Sequence, residues 1–164
     1  MSYPTPAFEA KLCPPEQLAT RLATVTRPLV FTNGVFDLLH RGHVTYLAQA
    51  RSLGASLLVA LNGDASARRL GKGPDRPINR LEDRAAVIAA LECVSLVSWF
   101  DEDTPLSLIL ATRPDVLVKG GDWKPEAMVG STEVRGWGGS VHSIPFLVDT
   151  STTRTLAKIR SDAG

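Results

Sequence analysis

The chain of 164 residues has few of the side chains that build metal and redox sites, with only three histidines and two cysteines. Cys13 and Cys93 lie in unrelated sequence contexts and lack the spacing of metal ligands. We predict that both are free thiols. Because free thiols persist in reducing compartments, we expect a cytoplasmic protein.

Long apolar runs and an excess of charge are also missing. No stretch reaches the roughly 18 consecutive apolar residues of a membrane span, and the amino terminus lacks the basic start and apolar core of a signal peptide. The formal net charge is +1, from 18 basic and 17 acidic residues. We therefore expect no nucleic-acid or membrane partner, and any anion site must come from a local cluster.

Apolar runs at residues 29–32, 56–61, 94–100 and 115–118 predict buried strands, and residues 140–144 predict a last strand. Segments of helical periodicity lie between these runs. Continuously apolar strands that alternate with helices are typical of a parallel sheet with helices on both faces. We predict an α/β, Rossmann-like fold of about five strands, which binds ligands at the carboxyl ends of its strands.

The segment before the first strand has a different character. Residues 1–13 contain prolines and no periodicity, which predicts a loose tail. Pro14, Pro15 and Glu16 then favour the start of a short helix that continues to about residue 25. We therefore divide the chain into an N-terminal tail with a short helix, residues 1–25, and one main domain, residues 26–164.

His40 and His43 form the most informative pair in the sequence, because only Arg41 and Gly42 separate them. They follow the first predicted strand and stand at the start of the next predicted helix. A helix start offers free N–H groups and a partial positive charge, which favour phosphate, and imidazoles can donate to phosphate oxygens. Gly42 allows a ligand to approach the backbone closely. The alternative is that both histidines cap the helix or fill the core.

The segment TNGVFDLLHRGH, residues 32–43, resembles the signature of the His-x-Gly-His nucleotidyltransferase superfamily. Arg76-Pro77, the EDR of residues 82–84, the KGGDW of residues 119–123 and the STT of residues 151–153 follow in the order of that superfamily. The phrases RPINRLEDRAAVIAAL and RPDVLVKGGDW resemble the heptose 1-phosphate adenylyltransferase branch. That branch includes one half of ADP-heptose synthase, whose other half is a sugar kinase. The present chain looks like a free-standing version, with a Rossmann-like nucleotidyltransferase fold.

This resemblance implies an enzyme that converts ATP and D-glycero-β-D-manno-heptose 1-phosphate to ADP-heptose and pyrophosphate. The product would supply heptose for the lipopolysaccharide core. The resemblance also implies Mg²⁺ bound to ATP, a homo-oligomer, and a separate sugar kinase and phosphatase in the same pathway. Nothing covalent is required of the protein in this reaction, so positioning and positive charge must provide catalysis.

The resemblance assigns roles to individual residues. The predicted catalytic residues are His40, His43 and Lys72. The predicted nucleotide-binding residues are Thr32, Asn33, Gly34, Val35, Phe36, Gly42, Arg84, Gly120, Gly121, Asp122, Ser151, Thr152 and Thr153. The predicted substrate-binding residues are Asp37, Arg76, Lys119 and Trp123. We assign no protein ligand to Mg²⁺, because phosphate oxygens are its expected ligands.

Several of these residues also have a structural interpretation. Lys72 could be a solvated loop lysine, and Arg84 could pair with a nearby carboxylate. Asp37 could fix a turn or hold Mg²⁺ through water, and Trp123 could belong to the core. Residues 119–122 could form a plain turn. Residues 151–153 form a suitable N-cap whether or not they bind phosphate.

Other functions remain open at this point. A cytidylyltransferase acting on glycerol 3-phosphate is the nearest alternative, although its family carries an arginine-rich lead into the STT segment and residues 145–149 here contain no arginine. The heptose branch often has cysteine where this chain has Val35, which we expect to matter little. A non-catalytic nucleotide-binding module is a further alternative. A zinc site is disfavoured because the two histidines lack a clear third ligand.

Overall fold

A computed structural model describes residues 3–71, 73, 76–146, 155, 158–159 and 161. The predicted site residues Lys72, Ser151, Thr152 and Thr153 lie outside the described residues. Most of the predicted final helix, residues 152–160, lies outside them as well. The described residues near that end, from Thr155 to Ser161, have helical backbone.

Five parallel strands form one sheet in the order β3-β2-β1-β4-β5. The strands are β1 (Leu29–Gly34), β2 (Ser56–Asn62), β3 (Leu96–Phe100), β4 (Val116–Gly120) and β5 (Ser140–Ile144). Each coincides with a predicted strand, so the predicted α/β fold with a five-stranded parallel sheet is confirmed.

Helices connect the strands in the described part of the chain. The α-helices are α1 (Leu18–Leu22), α2 (Arg41–Arg51), α3 (Asp64–Arg69), α4 (Leu81–Ala89), α5 (Leu106–Thr112) and α6 (Ser131–Gly136). Short 3₁₀ helices lie at Ala7–Lys11, Pro15–Gln17 and Pro125–Ala127. None of the helices in the described ranges is long and apolar enough to cross a membrane.

The three central strands, β2, β1 and β4, are largely apolar because both faces of the sheet are covered there, whereas the edge strand β5 is partly exposed. Alternate residues of one strand point to opposite faces. Val30 of β1 packs in a cluster with Leu47 of α2 and Ile88 of α4. Phe31, the next residue, packs in a second cluster with Leu18 of α1 and Ile109 of α5. The prediction of helices on both faces is confirmed.

The order of the strands in the sheet reverses at β1. From β1 it moves outward through β2 to β3, and it then crosses back to place β4 on the other side of β1. The connections after β1 and β4 therefore diverge and leave a crevice at the carboxyl ends of these strands. The segment that carries His40 and His43 leaves β1 at this crevice.

The prediction of a loose tail is wrong for the residues just before α1. Leu12 forms a parallel bridge with Val97 of β3, and the Cys13 N–H donates to the Val97 carbonyl at 2.9 Å. Phe8 and Leu12 pack against the core. The backbone groups on the open side of β3 need partners, and this segment supplies them. The division of the chain at residue 25 stays a prediction.

Cys13 and Cys93 are free thiols, as predicted. Cys13 is fully buried and Cys93 is half-buried. Burial raises the pKa of both thiols above their ordinary value, so both stay protonated at neutral pH.

Replacing Leu18 tests whether the N-terminal segment belongs to the core. Leu18 is 1% exposed, so Leu18→Ala should lower the free energy of unfolding by about 2–4 kcal/mol through a lost contact and a residual cavity. The exposed neighbour Thr20 provides a control, since Thr20→Ala should change the free energy of unfolding by less than about 0.5 kcal/mol. Urea unfolding measures both values, and equal small effects would mean that the segment is not part of the folded unit.

Candidate active site

A cavity of about 590 Å³ opens at the carboxyl edge of the sheet. Such a volume suits a small-molecule ligand. Asn33 and Gly34 at the end of β1 and Lys119 and Gly120 at the end of β4 contribute to its lining. Residues 103–105, which follow β3, and residues 127–129, which follow β4, complete much of the rest. The cavity therefore lies at the crevice where the sheet topology predicts it.

The turn between β1 and α2 is tightly folded around Phe36. Phe36 has a φ of 48°, in the left-handed region that side chains rarely adopt. A Cβ on Gly34 would lie 2.8 Å from Cε2 of Phe36, so the fold of this turn requires glycine at that position. The buried Phe36 ring meets the His43 ring edge-on, with 5.1 Å between the centroids. The turn thus links the end of β1 to the second histidine.

His40 and His43 stack on each other at the start of α2. Their ring centroids are 3.8 Å apart and their planes differ by 24°. His40 is the N-cap residue, and its carbonyl accepts the His43 N–H at 2.9 Å. Nδ1 of His40 is buried and has no hydrogen-bond partner among the described residues. His40 therefore carries one ring nitrogen that the described residues leave without a hydrogen bond.

The protonation of His40 depends on its ligand. Burial lowers the pKa of His40 below its ordinary value. In the free protein its imidazole is therefore neutral at pH 7. A phosphate beside the ring stabilises the imidazolium and raises this pKa. We therefore expect His40 to become positively charged only when an anion binds, so that the free site avoids burying an unpaired cation.

Tyr46 and Phe146 line the cavity beside the histidines, and sequence reasoning missed both. The Tyr46 hydroxyl shares a hydrogen bond with the Thr32 side chain and donates to the Val118 carbonyl at 3.3 Å. Burial raises the pKa of Tyr46 well above its usual range, so the hydroxyl stays protonated. Phe146 packs edge-on against Tyr46 and His43. Thr32 is fully buried and its hydroxyl joins β1 to α2. Its role as a nucleotide ligand stays a prediction.

The Arg84 side chain is fully buried, with 0% exposure. Its Nη1 donates to the carbonyls of Val35 at 2.7 Å and Asn62 at 2.9 Å. Its Nε donates to the Asn79 carbonyl at 3.0 Å, and its Nη2 pairs with Asp64 at 2.7 Å. Because the guanidinium is engaged inside the protein, the structure favours the carboxylate-pairing alternative, and the nucleotide-binding role of Arg84 stays a prediction.

Asp37 lines the cavity, yet its carboxylate is engaged by the protein. It accepts the N–H groups of Ile78 and Asn79, each at 2.9 Å, and pairs with Nε of Arg76 at 2.6 Å. These contacts fix one end of the loop of residues 71–79 to the β1–α2 turn. The turn-fixing alternative for Asp37 is therefore what the structure favours, and Arg76 points its Nε at Asp37 rather than into the cavity.

The same contacts bear on magnesium. No group of three His, Cys, Asp or Glu side chains in the described ranges could hold a metal ion. Asp37, the carboxylate nearest the histidines in sequence, already accepts three donors. Within the described ranges, Mg²⁺ therefore has no cluster of carboxylate or imidazole ligands, and its binding by phosphate oxygens stays a prediction.

Residues 119–123 form the far side of the crevice at the end of β4. Nζ of Lys119 donates to Oδ1 of Asn33 at 3.0 Å and lies 5.7 Å from the Trp123 ring centroid. Trp123 is 49% exposed and lines the cavity, so it is not a core residue. Gly121 has a φ of 105°, which its position in the turn requires. Asp122 is exposed, and it does not line the cavity.

The structure brings together most of the predicted residues that it describes. Those that line the cavity are Asn33, Gly34, Val35, Phe36, Asp37, His40, His43, Lys119, Gly120 and Trp123. Those placed outside the lining are Thr32, Gly42, Arg76, Arg84, Gly121 and Asp122.

The lining residues that sequence reasoning missed come from other strand ends and loops. They are Tyr46, Asn62, Leu70, Asp103, Thr104, Pro105, Leu117, Val118, Ala127, Met128, Val129 and Phe146. Asn62 could have been found, since it ends β2 at the same edge of the sheet. Residues 103–105 start the connection after β3 and could have been found in the same way.

The chain matches the cytidylyltransferase-like family over residues 31–161. The chain belongs to this family. D-β-D-heptose 1-phosphate adenylyltransferase of Bordetella bronchiseptica is 55% identical over 93% of this chain and 96% of its own length. The bifunctional protein HldE of Hahella chejuensis is 55% identical over 82% of this chain, which corresponds to only 28% of that longer protein. The prediction of a nucleotidyltransferase is confirmed.

Solved structures agree with this assignment. The lipopolysaccharide core biosynthesis protein from Thermoplasma volcanium is 31% identical, with a TM-score of 0.60 over 72% of this chain and 94% of that chain. Pantoate-β-alanine ligase from Francisella tularensis has a TM-score of 0.58 over 87% of this chain and 68% of its own. At 13% identity, the likeness to the ligase shows the fold alone.

Binding of ATP should take up a proton through His40. Because the pKa of His40 is lowered in the free protein and raised beside phosphate, uptake should occur between these two pKa values, around its ordinary value of about 6.5. Calorimetry at about pH 6.5 in two buffers of different ionisation enthalpy measures it. On binding ATP, the His40→Gln variant should take up fewer protons than the wild-type protein. Equal proton uptake by the two proteins would contradict this role of His40.

Glycine at position 120 should be required for full stability, because the Phe146 ring lies over it. A Cβ at position 120 would lie 2.8 Å from Cζ of Phe146, so Gly120→Ala should cost about 1–3 kcal/mol of stability through overpacking. The same substitution should cost much less in a Phe146→Ala background, where the obstructing ring is gone. Urea unfolding of the single and double variants measures the difference, and equal costs would argue against this contact.

Proposed function

We propose that this protein transfers the adenylyl group of ATP to D-glycero-β-D-manno-heptose 1-phosphate and releases pyrophosphate. The observation that carries the proposal is the stacked His40–His43 pair at the start of α2, inside a cavity at the carboxyl edge of the sheet. The identity of 55% across nearly the full length of the Bordetella adenylyltransferase supports the choice of substrates.

The reaction is a single in-line displacement at phosphorus. An oxygen of the sugar phosphate forms a bond to the α-phosphorus of ATP, and the bond from that phosphorus to the bridging oxygen of the β-phosphate breaks. Pyrophosphate leaves with the electron pair of the broken bond. Negative charge increases on the α-phosphate oxygens in the transition state, and donors placed there in advance lower the barrier.

His40 and His43 are the described groups best placed to provide those donors. Their rings stand at the positive end of α2, where bound phosphate is favoured. Lys119 adds a cation at the end of β4. We propose that the exposed face of Trp123 and the Phe146 ring accommodate the base. Asp103 and Thr104 would accept hydrogen bonds from sugar hydroxyls. Lys72 and residues 151–153 remain predicted phosphate ligands.

The wider setting also belongs to the proposal. ATP would enter as its Mg²⁺ complex, with the ion bound by phosphate oxygens. We propose that a separate sugar kinase and phosphatase supply the heptose 1-phosphate here. The bifunctional relative in Hahella chejuensis is far longer than this chain, which supports a second activity on a separate protein. ADP-heptose would then serve lipopolysaccharide synthesis. We expect the protein to work as a homo-oligomer in the cytoplasm, where ATP and free thiols are both maintained.

An activity panel tests the substrate assignment. Purified protein with Mg²⁺ should release pyrophosphate from ATP only when β-heptose 1-phosphate is present. CTP with glycerol 3-phosphate, run in parallel, should release none. Pyrophosphate release with CTP and glycerol 3-phosphate alone would replace the proposed substrates with those of a cytidylyltransferase. Absence of pyrophosphate release with every pair would argue against catalysis.

Replacing His43 tests the mechanism. His43→Ala should lower kcat by about 10²–10³-fold, the usual cost of losing a donor to transition-state charge. The third histidine supplies a matched control, since His142 is exposed and bonded to Ser140 at 2.9 Å in β5. His142→Ala should leave kcat unchanged, and the melting temperature of both variants should stay close to that of the wild-type protein. A kcat of His43→Ala close to the wild-type value would contradict the proposed role of His43 in the transition state.

A further inference from the structure

The side chains of Asn79 and Arg84 hold the backbone of the β1–α2 turn. Nδ2 of Asn79 donates to the Asp37 carbonyl at 2.7 Å, and Nη1 of Arg84 donates to the Val35 carbonyl at 2.7 Å. These two carbonyls flank Phe36, the residue with a φ of 48°. The left-handed conformation of Phe36 is therefore held by one side-chain hydrogen bond on each side.

Asn79 also joins these supports to each other. Its N–H donates to Oδ1 of Asp37, and its carbonyl accepts from Nε of Arg84. Arg84 in turn is fixed by the Asn62 carbonyl and the Asp64 carboxylate. We call these four side chains, Asp37, Asp64, Asn79 and Arg84, the turn-support network. Arg84 has no exposed side-chain surface and does not line the cavity, so it makes no direct contact with a ligand there.

The turn determines where the histidines stand. Phe36 precedes His40 by four positions, and its ring packs edge-on against His43 at 5.1 Å. A left-handed conformation is unfavourable for an aromatic residue, so the turn would relax if its supports were lost. Relaxation would move the Phe36 ring and change the position of His43. Catalysis by positioned donors is sensitive to displacements of this kind.

We propose that Asn79 and Arg84 are positioning residues of the nucleotidyl-transfer reaction. They act through the β1–α2 turn and keep the histidine pair at the correct distance from the α-phosphate. This inference rests on the proposed function. Substrate affinity is shared among many groups of the cavity, whereas transition-state stabilisation depends on the histidine geometry. Loss of either residue therefore lowers kcat more than it weakens ATP binding.

Asn79→Ala is the most direct test, because it removes one side-chain donor and keeps the backbone groups of residue 79. The expected result is a kcat lower by about tenfold to a hundredfold. The dissociation constant of ATP should change by less than about threefold, because the interactions lost act mainly in the transition state. Pyrophosphate release gives kcat, calorimetry gives ATP affinity, and thermal melting reports the fold.

Arg84→Lys is the second variant, and Arg27→Lys is its matched control. Arg27 also donates to backbone carbonyls, those of Thr112 and Arg113, and pairs with a carboxylate, Asp115. It lies near the amino end of β1, away from the cavity. Arg84→Lys should lower kcat with little change in ATP affinity. Arg27→Lys should leave kcat unchanged even where it lowers the melting temperature.

The histidine resonances give a readout that needs no sugar substrate. In Asn79→Ala, the NMR signals of the His40 and His43 imidazoles should shift from their wild-type positions, while Arg27→Lys should leave them in place. Unshifted signals, normal kcat, or equal losses of kcat and ATP affinity in Asn79→Ala would overturn the inference. Failure of the proposed function is distinguishable, since the wild-type protein itself would then release no pyrophosphate from ATP and β-heptose 1-phosphate.

Discussion

Buried hydrogen bonds to the backbone of the β1–α2 turn are the interactions on which the rest of the site depends. Asp37 receives three donors from residues 76–79, and Arg84 donates to carbonyls at the ends of β1 and β2. A buried charge is costly unless it is paired and hydrogen-bonded, and both groups satisfy that condition. The same bonds hold Phe36 in an unfavourable backbone conformation and thereby orient His43.

The electrostatics of the site follow from the near-neutral composition. With a formal net charge of +1, the protein has no global field to attract a nucleotide. Local groups must provide the attraction, namely the start of α2, Lys119 and the histidine pair. Burial keeps His40 neutral in the free protein, so the site does not carry the cost of an unpaired imidazolium. We expect the positive charge of His40 to form only beside a bound phosphate.

Most of the fold and a large part of the site could be predicted from the sequence. Apolar runs predicted the inner strands because a strand covered on both faces is apolar at nearly every position. The segment from Asn33 to His43 was found because its glycines and histidines follow a strand and open a helix. The loose tail was predicted wrongly, because the prolines of residues 1–13 carry no signal for pairing with β3. Such pairing depends on which edge of the sheet is open.

The sequence by itself determined the chemistry available to this protein: the strands, the position of the histidine pair and the family. Only the tertiary structure decided which polar residues face the cavity and which are used to hold it together. Arg84 and Asp37 resemble ligands in sequence because motifs record residue type and spacing. Their donors and acceptors are taken by Val35, Asn62, Ile78 and Asn79, which come from several segments of the chain. Tyr46 and Phe146 enter the site for the same reason, since contacts between distant segments form only when the chain folds.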